Sequence, residues 1–134
     1  MIAYWDSSAL VEATQNVRVR SVLRKHSGIT RLHALSEVFS TLTGGRLGFR
    51  CQPDDAARIG DELAGDLKFV ELNEREVLLA LASARKHGVR GGQIHDYLHA
   101  LAAQKARVVT IYTLNISFFT SLNLTLDIEP PLNS

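Results

Sequence analysis

Two rhythms run along this chain: short runs of strand character, and longer stretches whose apolar positions recur at helical spacing. Ile2-Ala-Tyr-Trp5 is the first strand-like run, and it leads straight into Asp6, two serines and a further apolar run. A strand is predicted to end at Asp6, with Ser7 or Ser8 capping the helix that follows. Leu10 to Ala13 continue that helix, and Asn16 caps a second one, which carries Arg18, Arg20, Arg24 and Lys25 on and around an amphipathic surface. Gly28-Ile-Thr30 reads as a second strand. Residues 32–43 then form a helix with Leu35, Val38, Phe39 and Leu42 on one stripe, and Glu37 falls nearly opposite, a solvent position by periodicity alone.

The glycine-rich stretch from Gly44 to Arg50 stops that helix and leaves a mobile loop. It is no Walker phosphate loop, because the Gly-Lys-Ser/Thr ending is missing. Pro53 opens the next helix, with Asp54 and Asp55 in its first turn where the helix dipole favours acids, and the helix is predicted to run to about Leu67. Lys68 to Leu72 reads as a third strand. Asn73 with Glu76 makes a capping box for a helix over 77–87. Beyond three glycines, a helix over 94–105 carries Ile94, Leu98 and Leu101 on one stripe and Asp96 opposite, beside Ala100 and Ala103. Such small apolar neighbours imply that the Asp96 face is covered too, which makes a carboxylate costly unless it is paired or binds a cation. His95 and His99 have the i, i+4 spacing of a metal pair, but no HExxH pattern or further ligand accompanies them. Residues 108–113 are the clearest buried strand, with polar Thr113 and Asn115 at its carboxyl edge. Leu124 to Ile128 alternates as a closing edge strand. Strands alternating with helices predict a right-handed parallel α/β sheet.

Composition narrows the setting. The 134 residues fit one domain, and 46% hydrophobic with 22% charged residues is ordinary for a globular chain. No apolar run approaches the ~20 residues of a membrane span. The single cysteine, Cys51, excludes an internal disulfide and fits a reducing, cytoplasmic location. A net charge of +1 exerts little pull on nucleic acid as a whole. Residues 1–60, however, hold eight basic and five acidic side chains, against seven and nine in residues 61–134. A polyanion is therefore expected to be gripped by a patch in the first half, with Arg46 and Arg50 of the glycine loop and Arg18, Arg20 or Arg24 as candidates.

Four segments together resemble a known family. They are Tyr4-Trp-Asp6-Ser-Ser-Ala-Leu, Leu35-Ser-Glu37-Val-Phe-Ser-Thr-Leu, Gln93-Ile-His-Asp96-Tyr-Leu-His-Ala and Val109-Thr-Ile-Tyr-Thr113-Leu-Asn115-Ile-Ser-Phe. In this order they resemble the PIN-domain ribonucleases, and most closely the toxin subunits of VapBC-type toxin–antitoxin pairs. The resemblance implies a three-layer α/β/α fold on a mainly parallel four- to five-stranded sheet. It also implies that Asp6, Glu37 and Asp96 hold Mg²⁺ or Mn²⁺ for RNA hydrolysis. Asp6 would be the central ligand, Asp96 a second ligand or the orienter of water, and Glu37 a ligand direct or through water. Ser8 and Thr113 would hydrogen-bond a carboxylate or a phosphate. As a toxin the protein would form a homodimer and be silenced by an antitoxin protein. Many relatives carry an aspartate at the position of Asn115, and often another at that of Ser117. Asparagine orients a water but brings no charge, so a second metal is in doubt, and a PIN-like module that binds RNA or protein without cutting is the alternative.

Overall fold

Tyr4 packs on one face of the sheet while Ala3 and Trp5 pack on the other, and this strand alternation sets the layering. The computed structural model describes residues 2–132. Its strands are β1 (Ile2–Trp5), β2 (Ser27–Thr30), β3 (Leu67–Phe69), β4 (Thr110–Tyr112) and β5 (Asp127–Glu129). They pair in the order β3-β2-β1-β4-β5, every pair parallel. Parallel neighbours need crossovers, and helices supply them. On the Ala3 and Trp5 face lie α1 (Ser7–Gln15), α2 (Val17–Lys25), α3 (His33–Gly44) and α4 (Pro53–Ala64). Tyr4 and Ile111 meet α5 (Glu74–Ser83), α6 (Gln93–Lys105) and α7 (Ile116–Ser121) on the opposite face. Two cores thus sandwich one sheet, the three-layer α/β/α arrangement expected from the sequence. Among the described residues no helix is long and apolar enough to cross a membrane.

Several local expectations need correction. Neither Ser7 nor Ser8 caps α1; Asp6 does, accepting a hydrogen bond from the Ala9 N–H, and both serines lie inside the first turn. Helix α4 stops at Ala64, because the Gly65 and Asp66 N–H groups turn back onto Glu62 and Leu63, and β3 therefore begins at Leu67. The buried stripe of α3 is Ala34, Val38 and Leu42, with Phe39 exposed, so the helix is rotated from the periodic reading in the direction of Glu37. Helix α7 has six residues, too few to display a period, and the sequence gives no hint of it.

Gly28 lies where β2 passes beneath α2. A Cβ there would stand 2.5 Å from Leu23 Cδ1 and 3.1 Å from Leu67 Cδ2. Leu23 is itself buried and has no room to yield. Gly28→Val is expected to lower stability by about 1–3 kcal/mol, read as a lower urea midpoint at unchanged slope; an unchanged midpoint would mean that this contact is slack.

Candidate active site

Successive strands β1, β2 and β3 step one way across the sheet, and β4 and β5 lie on the other side of β1. The winding reverses between β1 and β4, and the carboxyl ends of strands at such a reversal open onto a crevice. Asp6 ends β1 there, and its N–H donates to the Tyr112 carbonyl at 3.2 Å. Its carboxylate is 1% exposed. Oδ1 accepts from the Ala9 N–H at 2.9 Å and from the Ser8 hydroxyl at 2.7 Å, and Oδ2 accepts from the Thr113 hydroxyl at 2.5 Å. Burial pushes the Asp6 carboxyl above the usual aspartate range, and these three donors with the nearby His99 only partly oppose the shift.

Above Asp6 a crevice of about 770 Å³ is lined by Ser7, Ser8, Glu37 and Asp96 among others. Glu37 reaches it from α3. Its Oε1 lies 2.8 Å from His99 Nε2, and its Oε2 accepts a longer bond, 3.3 Å, from the Ser7 hydroxyl. Burial alone would raise the Glu37 carboxyl; the hydrogen bond and charge of His99, with His33 and Ser7, outweigh it and hold it below the usual range. On the far side of His99, the Tyr4 hydroxyl meets Nδ1 at 2.6 Å. Asp96 stands in the first turn of α6 and accepts from Asn115 Nδ2 at 3.0 Å. Its carboxyl is raised, first by burial and further by the Glu37 charge, against the opposing Asn115 bond and the charges of His99 and His95.

Glu37 and Asp96 therefore face one crevice, and Asp6 lies under its floor, bonded to the crevice-lining Ser8. They do not form a preassembled metal cluster: among the described residues no three His, Cys, Asp or Glu side chains stand close enough to hold an ion. The physical reason is visible in their partners. Carboxylates about 4 Å apart repel by about 4 kcal/mol at a moderate effective dielectric, and here each turns to a neutral or imidazole donor of its own. The donor set is rich in carboxylate and hydroxyl oxygens, the chemistry a hard divalent cation takes.

The remaining sequence candidates divide. Thr113 joins the site, accepting from the Asn115 N–H while it donates to Asp6. Ser8 accepts from the Leu114 N–H. Ser117 lies exposed on α7, outside the crevice lining. Arg46 lines the crevice and is the only arginine or lysine among the described residues that do. Arg50 packs against Gly45 instead. Arg20 and Arg24 pair with Asp66, at 2.9 Å and 3.4 Å, and Arg18 shares their helix away from the crevice. These three are not placed to grip a ligand there. The i, i+4 histidines do not act as a pair: His99 is buried between Tyr4 and Glu37, whereas His95 stacks on His33 at a centroid distance of 5.4 Å. Sequence reading missed His33 and Glu12, which line the crevice, and Tyr4, which is buried against His99. Only Glu12 left a signal, lying four residues after Ser8 on the same helical face.

No family model and no curated protein matches this sequence. Solved structures do. PAE2754 from Pyrobaculum aerophilum is similar with a TM-score of 0.69 at 16% identity, over 95% of this chain and 89% of that one. VapBC-1 from nontypeable Haemophilus influenzae is similar with a TM-score of 0.65, also at 16% identity, over 98% of both chains. The likeness is one of fold, and the fold is PIN-like.

A carboxyl whose pKa rises on folding holds its proton more tightly in the folded chain. Its ionisation therefore costs stability above the ordinary aspartate range and costs none below it. Asparagine caps a helix as well as aspartate does. Asp6→Asn is accordingly expected to raise the Tm of the metal-free protein at neutral pH, with the gain vanishing as pH falls to about 3. Glu37 runs the other way: its contribution is present above the ordinary glutamate range and is lost as pH falls through its lowered value. A Tm difference for Asp6→Asn that does not change with pH would show that Asp6 carries no buried charge.

Proposed function

We propose that this chain is a metal-dependent endoribonuclease of the PIN-domain, VapC toxin type, hydrolysing RNA phosphodiester bonds with Mg²⁺ or Mn²⁺. The observation that carries this is that Glu37 and Asp96, far apart in sequence, line one crevice at the strand-order reversal, with Asp6 buried beneath it and bonded to the crevice-lining Ser8. Burial leaves two of the three short of compensating positive charge, which a divalent cation supplies. Asp6, Glu37 and Asp96 are the residues that would hold it. When bound, such an ion lowers the pKa of a water and stabilises charge on phosphoryl oxygens.

The chain's own groups do the rest. Glu12, Glu37 and Asp96 make the crevice electronegative, so RNA entry depends on charge neutralisation, and Arg46 offers a guanidinium to a phosphate at the wall. Asn115 orients Asp96, and Thr113 with Ser8 fixes Asp6. The fold shared with VapBC-1 supports a cognate antitoxin protein as partner. A homodimer acting in the cytoplasm belongs to the same proposal.

Purified protein is expected to cut RNA in Mg²⁺ or Mn²⁺ and to stop on chelation, with Asp6→Asn and Asp96→Asn each slower by roughly 100-fold or more. Cleavage retained in both variants would mark a contaminating nuclease and sink the proposal. RNA bound but uncut, with metal present, would favour the non-catalytic module, a reading supported by the dispersed carboxylates and by Asn115.

Asn115→Asp would set a carboxylate where an amide now donates to Asp96. The variant is expected to lose stability without metal and to bind Mn²⁺ more tightly than wild type, by calorimetry. Unchanged affinity would mean that position 115 is not coupled to the ion.

A further inference from the structure

Tyr4 and His99 are both 0% exposed, yet both are polar, and together they run from beneath the sheet to the crevice. We propose that they form a positioning pair that commits one oxygen of Glu37 to the imidazole and presents the other to the crevice. The pair stands on its own geometry; only the statement of what Glu37 then binds rests on the ribonuclease reading.

A neutral imidazole has one donor and one acceptor nitrogen. At one end of the His99 ring is a phenol 2.6 Å from Nδ1, and at the other a carboxylate oxygen 2.8 Å from Nε2. The carboxylate can only accept, so Nε2 carries the ring proton, Nδ1 accepts, and the Tyr4 hydroxyl donates. Burial raises the phenol's pKa, which keeps it a donor. The tyrosine ring meets the imidazole edge-on at 5.6 Å and 64°, so packing as well as hydrogen bonding holds the ring plane. With both nitrogens engaged, His99 is not itself a metal ligand.

Glu37 needs such a hold. It lies on α3 outside the buried stripe, and the hydrogen bonds to its carboxylate come from other helices, from Ser7 of α1 and His99 of α6. His99 draws in Oε1. Oε2 keeps only the 3.3 Å contact from Ser7, and it is the oxygen left to face a cation. Partners that orient a ligand in this way set metal affinity as well as geometry.

Nitrogen-15 NMR of the metal-free wild type is expected to show His99 as the Nε2–H tautomer, and Glu37→Leu, which removes the acceptor that fixes it, to release it into a mixture. His99→Ala is expected to weaken Mn²⁺ binding by roughly 10- to 100-fold, with His99→Gln, whose amide can still donate to Glu37, recovering most of it. Melting temperature separates the two roles: a merely structural His99 would leave both variants with lower Tm and unaltered Mn²⁺ affinity. An Nδ1–H or doubly protonated ring at neutral pH overturns the positioning pair. So does His99→Ala protein that binds Mn²⁺ as the wild type does. If the wild type binds no Mn²⁺, the ribonuclease reading fails alone, and the tautomer and its dependence on Glu37 still decide the pair.

Discussion

One buried carboxylate, that of Asp6, binds the fold to its chemistry. Removing a carboxylate from water is costly unless donors replace the water. Here the replacements are the N-terminal turn of α1 and a hydroxyl from the end of β4. The same group is thus a helix cap, a tie between β1 and β4, and an anion with too little positive charge around it. From it one arm of hydrogen bonds runs through Thr113 and Asn115 to Asp96. A second arm starts two residues earlier on β1, at Tyr4, and runs through His99 to Glu37. Strand β1 anchors both.

Charge explains why the acids stand apart rather than together. Without a cation, the arrangement of lowest cost gives each carboxylate separate neutral donors, and that is the arrangement observed. The dispersal and the raised carboxyls of Asp6 and Asp96 are two faces of one deficit. Among the described residues Arg46 alone of the lysines and arginines reaches the crevice, so the protein's own side chains do little to correct it.

Much of this was legible in the sequence, and the failures have local causes. Strand alternation, the Asn16 cap and the Asn73–Glu76 capping box are short-range signals, and each is where the pattern puts it. Asp96 was exposed as unusual by its small neighbours Ala100 and Ala103, which are indeed covered. Glu37 shows the limit: helical period assigns it to water, and only a partner 62 residues away draws it in. The i, i+4 spacing of His95 and His99 has no further ligand to support a metal pair, and the structure turns the two rings to different tasks. The basic run on α2 shows the same dependence on distant partners: Asp66, on the turn before β3, pairs with Arg20 and Arg24. Spacing reports which side chains share a face, not what tertiary packing brings to meet them.

The order of the strands has a further consequence, one that concerns time. Every neighbour of β1 is reached by a crossover, and its partner β4 lies more than 100 residues downstream. On a ribosome, Tyr4 and Asp6 emerge well before His99 and Thr113 and wait for them. A polypeptide made only as far as α4 carries Glu37 and most of the crevice wall, yet it lacks Asp96, His99 and Thr113. Assembly of the acidic crevice is thereby deferred until α6 and β4 have been made.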